Sequence, residues 1–87
     1  MTITEYINGK VVYDKYGGQQ IWIQEPDGGC QLLADVRGWG HIQNLFSKGN
    51  TIDIEKAAKF QDEIGRFIAD AINEKISRLK SPATDGQ

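Results

Sequence analysis

Asp53 to Leu79 reads DIEKAAKFQDEIGRFIADAINEKISRL, and no other stretch of the 87-residue chain is long and periodic enough to close a core. At about 100° per residue, Ala57, Ala58, Ile64, Phe67, Ile68, Ala71, Ile72, Ile76 and Leu79 fall with Ile54 on one half of the circumference. Glu55, Lys59, Asp62, Glu63, Arg66, Asp70, Asn73 and Ser77 fall on the other. The pattern predicts an amphipathic helix. Asp53 is suited to cap it, because its carboxylate can accept from the free amides of the first turn, with Ile52 as a weak staple against Ala57. Arg78 and Lys80 lie where the macrodipole favours cations, and Ser81-Pro82 ends the helix. Gly65 sits inside the apolar stripe and costs about 1 kcal/mol against alanine there, so close approach of another backbone or an aromatic ring is expected over it.

Working back from the helix, the chain reads as strands. Thr2 to Ile7 and Lys10 to Tyr13 flank Asn8-Gly9, a pair suited to a two-residue hairpin turn. Gln19 to Glu25 forms a third strand after the Gly17-Gly18 break, and Cys30 to Arg37 a fourth after Pro26-Asp27-Gly28-Gly29. The expected fold is therefore α+β: a four-stranded antiparallel β-meander with one long C-terminal helix packed on one face. A single ββββα domain is expected over residues 1–81, and the small polar residues 82–87 read as a disordered tail. Alternation places Ile3, Ile7, Val11, Tyr13, Ile21, Ile23, Cys30, Leu32, Ala34 and Val36 toward the helix. The other face then carries Tyr6, Val12, Trp22 and Leu33 among polar residues. One helix covers only one face, so this second face reads either as an interface or as scattered surface apolar residues.

Between sheet and helix, GWGHIQNLF (Gly38 to Phe46) reads as a sharp turn and a short helical or irregular segment under the main helix, followed by a polar loop over Ser47 to Asn50. Asp35, Arg37, Trp39 and His41 gather around its two glycines. Trp39 and Arg37 can anchor a protein interface, where such residues are enriched, or can stack a base and grip a phosphate in a nucleotide-type ligand. They can equally be structural, with Trp39 plugging the core, Arg37 paired with Asp35 and His41 at the surface. Candidate partner-binding residues are thus Tyr6, Trp22, Asp35, Arg37, Trp39 and His41. The apolar sector of the helix, about 180° wide, exceeds the 100° or so needed to face a core. Phe60, Ile64, Phe67 and Ala71 are accordingly candidates for a homodimer contact, although a small sheet and the Ile42 to Phe46 segment can also absorb the whole sector.

Chemistry finds little footing. The chain has one cysteine and one histidine, and Cys30 falls in the core-facing register where thiols are usually inert. No phosphate-cradling loop, metal-ligand cluster or catalytic pair is legible, so no enzymatic activity, cofactor or metal is expected. The net charge of −2, with both signs interspersed, argues against direct nucleic-acid binding. Neither a signal peptide nor a membrane-spanning run is apparent, and the lone cysteine fits a reducing, cytoplasmic setting.

Two strings carry a resemblance: DVRGWG with HIQ (Asp35 to Gln43), and QDEIGRFIADAIN (Gln61 to Asn73). They resemble short single-domain proteins of phages and prophages, in which an RGWG-like turn precedes a helix of this pattern; the likeness spans about Cys30 to Glu74. The resemblance implies an accessory protein of a mobile element. It further implies stoichiometric binding to a host protein in the host cytoplasm, in the manner of an anti-defence or anti-CRISPR inhibitor. Sequestration of a small molecule or nucleotide, and a structural or assembly role, are the other readings.

Overall fold

The computed structural model describes residues 1–36, 40–49 and 51–80, and the side chains of residues 40 and 41 are outside that description. In chain order the elements are α1 (Ile3–Tyr6), β1 (Lys10–Tyr13), β2 (Gln20–Gln24), β3 (Cys30–Asp35), α2 (Gly40–Leu45), β4 (Ser47–Lys48), β5 (Thr51–Ile52) and α3 (Ile54–Leu79). The main sheet is three-stranded and antiparallel, ordered β1-β2-β3, and β4 pairs with β5 in a separate two-stranded ribbon. The α+β class and the single long C-terminal helix stand; the fourth strand of the expected meander does not.

The missing strand is the first. Thr2 to Ile7 alternates like a strand, yet Thr2-x-x-Glu5 is also a capping box, and that local chemistry wins. Thr2 Oγ1 accepts from the Glu5 amide at 3.2 Å, and Glu5 Oε1 accepts from the Thr2 amide at 2.8 Å. The Thr2 amide first, and the Thr2 hydroxyl second, hold the Glu5 carboxyl below its ordinary value. Asn8-Gly9 accordingly makes no hairpin. Gly9 is needed because a Cβ there would strike the Gln24 carbonyl and the Glu25 backbone. The β1–β2 hairpin instead turns through Asp14 to Gln19, with left-handed backbone at Asp14 (φ 59°), Gly17 (φ 76°) and Gln19 (φ 54°). Asp14 Oδ1 steadies it by accepting from the Gln19 amide at 2.6 Å. The Pro26 to Gly29 turn forms as expected, with Gly28 at φ 95°.

The core lies between the sheet and α3. Ile7, Val11, Ile21, Ile23 and Val36 pack with Ala69 and Ile76, and Tyr13, Leu33, Ile68 and Ile72 close around them. Asp53 caps α3, its carboxylate accepting from the Lys56 amide. Beside Ile68, Ile72 and Ile76, α3 turns small and polar residues inward: Ala57, Gly65 and Ala69 are buried, and Gln61, Asp62 and Asn73 are half-buried.

Gly65 and the three polar residues make contacts that a larger or apolar side chain could not. Tyr13 lies across Gly65, where a Cβ would fall within 2.5 Å of Cζ and closer still to Cε1 and Cδ1. Its hydroxyl donates to Asp62 Oδ1 at 2.8 Å. Burial first, and that hydrogen bond second, push the phenol well above its ordinary value. Asn73 accepts from the Val11 amide at 2.8 Å and donates to the Val11 carbonyl at 2.7 Å, standing in for a missing fourth strand at the β1 edge. Gln61 Nε2 donates to the Val36 carbonyl at 2.9 Å and so fastens the end of β3. The short segment after the sheet is α2, which packs on α3 with Ile42 buried and Phe46 against Phe60 (ring centroids 5.7 Å apart).

Candidate interaction surface

The face of the sheet turned away from α3 is set by register. Val12 lies opposite Trp22, and Trp22 opposite Leu32, so the three form one row across all three strands. Tyr16, on the β1–β2 turn, meets Trp22 edge-on with centroids 4.9 Å apart. Leu32 is 46 % exposed and Tyr16 63 % exposed. Trp22 is half-buried, and its indole Nε1 is buried without a hydrogen-bond partner. A buried N–H without a partner costs free energy, so Trp22 holds this position for the apolar contacts of its ring.

A bulge decides which residues of β3 belong to this face. Pairing runs Ile21 to Ala34 and then Trp22 to Leu32, so Leu33 is the additional residue. Before the bulge, Cys30 pairs with Gln24 and Leu32 with Trp22 on the outer side; beyond it, Val36 enters the core. The placement of Cys30 and Leu32 toward the helix, and of Leu33 away from it, is thereby corrected. Ile3, expected in the core, is 56 % exposed on α1. Cys30 is half-buried, and its thiol interacts with the Tyr16 hydroxyl, raising that phenol above its ordinary value.

Of the expected partner-binding residues, the row contains Trp22 alone. Tyr6 stands on α1 and is 44 % exposed, and Asp35 ends β3, accepting from Gln20 Nε2 at 3.2 Å. Arg37 and Trp39 lie outside the described residues, as do the side chain of His41, the Ser81-Pro82 stop and the tail over 82–87. The alternative of a nucleotide-type ligand held by Arg37 and Trp39 therefore also lies outside the described residues. Leu32, Tyr16 and Cys30 are the members of the surface that sequence reasoning missed; alternation alone has no means of signalling a bulge. On α3, Phe67 is 74 % exposed, Phe60 and Ala71 are exposed and Ile64 is half-buried, so the four homodimer candidates share a flank that the sheet does not cover.

Among the described residues no group of three or more His, Cys, Asp or Glu side chains is placed to hold a metal ion, and no helix is long and apolar enough to cross a membrane. The chain matches no protein-family model, no curated protein and no solved structure.

Proposed function

We propose that the protein works by stoichiometric binding rather than catalysis, and that the outer face of the sheet receives the partner. The observation that carries this is the Val12–Trp22–Leu32 row, extended by Tyr16 and exposed at Leu32 and Tyr16. Aromatic residues set among apolar neighbours are what protein interfaces favour, and the row offers Leu32 and the adjoining Tyr16 as exposed apolar surface around Trp22. A partner protein that lays an apolar side chain over this row covers that surface. On the proposed resemblance of Cys30 to Glu74 to phage accessory proteins, that partner is a host protein, with inhibition of a defence factor as the consequence of occupying it. A homodimer through the exposed flank of α3 is the companion proposal, supported by the 74 % exposure of Phe67.

Affinity capture from bacterial lysate tests the reading. Leu32→Asp places a charge in the row at a site already 46 % exposed, so thermal stability should change little while capture is lost. Retention of the same host protein by this variant would remove the outer face from the binding surface.

A further inference from the structure

The uncovered flank of α3 has an internal order beyond being apolar. From Asp53 to Arg78 its outward positions run acidic, basic, four apolar residues, acidic, basic. Asp53 and Lys56 form an exposed ion pair (4.0 Å) at one end, and Glu74 and Arg78 an exposed pair at the other. Phe60, Ile64, Phe67 and Ala71 lie between at spacings of four, three and four, the spacing of a helix–helix seam.

Resting on the reading of this flank as the dimer contact, we infer that two copies pair antiparallel along α3, their two-fold axis passing between Ile64 and Phe67. Reversing the stripe onto itself about that point puts Asp53 opposite Arg78 of the second copy and Lys56 within one residue of its Glu74, with Lys75 of the second copy at the edge of the stripe. Phe60 then meets Ala71, and Ile64 meets Phe67. Each charge finds its opposite, and the largest side chain at the outer apolar layer faces the smallest, so that the helices approach without a clash. A parallel pairing sets every one of these four charges against its own kind. Glu63 and Asp70 border the same flank and would face each other as like charges, but at its solvent edge, where water screens them. The outer sheet face is left open in this arrangement, so self-association and partner capture use different surfaces.

The contact spans three helical turns and belongs to the small, weak class of interface. Sedimentation velocity from about 1 to about 500 µM should therefore show reversible conversion of the 9.7 kDa chain to twice that mass. Phe67→Glu should raise the dissociation constant about 30-fold or more, while leaving capture of a host protein intact. Orientation is read by disulfide formation in a Cys30→Ser background. Phe60→Cys mixed with Ala71→Cys should cross-link, and Ala71→Cys alone should not, because antiparallel pairing holds the two positions 71 about 16 Å apart along the axis. If Phe60→Cys disturbs the contact with Phe46, Lys56→Cys with Glu74→Cys and a short bismaleimide makes the same test at exposed sites. A mass of one chain throughout overturns the dimer. A dimer in which Ala71→Cys links only to itself overturns the antiparallel register. Neither result bears on the outer sheet face, whose test is capture by the Leu32 variant.

Discussion

Gly65→Ala ought to stabilise an exposed helix and ought to damage this one. In a helix interior alanine is favoured over glycine by about 1 kcal/mol. Here, however, the new methyl would occupy the space of the Tyr13 ring, within 2.5 Å of Cζ. Displacing the ring costs about 1 to 3 kcal/mol as overpacking. The 2.8 Å hydrogen bond from the Tyr13 hydroxyl to Asp62 goes with it, at about 1 to 2 kcal/mol for a half-buried bond to a carboxylate. The balance is a loss of about 1 to 4 kcal/mol, equivalent to a fall in Tm of roughly 5 to 25 °C for a domain of this size. Urea or thermal unfolding followed by circular dichroism reads it directly. The same substitution in a Tyr13→Ala background has no ring to displace and should regain the helix preference, raising stability by about 1 kcal/mol. A higher Tm for Gly65→Ala in the otherwise unaltered chain would refute the packing of α3 on β1.

Asn73→Ala leaves the half-buried Val11 amide and carbonyl unpaired and should cost about 2 to 4 kcal/mol, with accelerated hydrogen exchange at Val11 while Ile23 stays protected. Alkaline titration should reveal Tyr13. Its folded phenol titrates above the unfolded one, so its contribution to stability is complete below pH 10 and is lost as pH rises beyond that. Tyr13→Phe should remove this pH dependence and flatten the alkaline limb of a stability–pH curve.

Much of the framework was readable in the residues. The 3.6-residue period of α3, its Asp53 cap, the Pro26 to Gly29 turn and the need for something flat against Gly65 all follow from local rules, and all are present. The errors have two physical sources. Thr2 to Ile7 satisfies a strand alternation and a capping box at once, and the two reciprocal hydrogen bonds between Thr2 and Glu5 outweigh β-branched preference in so short a segment. The Leu33 bulge leaves Ala34 and Val36 on the expected side but turns Cys30 and Leu32 outward and Leu33 inward, a long-range pairing detail without a local signature. On α3 the departure lies elsewhere: Ile68, Ile72 and Ile76 pack toward the core as expected, but Asp62 and Asn73, read on the solvent half, are half-buried and hydrogen-bonded to β1. The phenylalanines are left to the flank.

That the outer face is the working surface can be tested without mutation. In a 15N-labelled sample titrated with the captured host protein, the Trp22 indole N–H should shift as its surroundings change, together with the amides of Val12 and Leu32. Unmoved Trp22, Val12 and Leu32 signals, with shifts confined to α3 or to the segment after β3, would contradict the account.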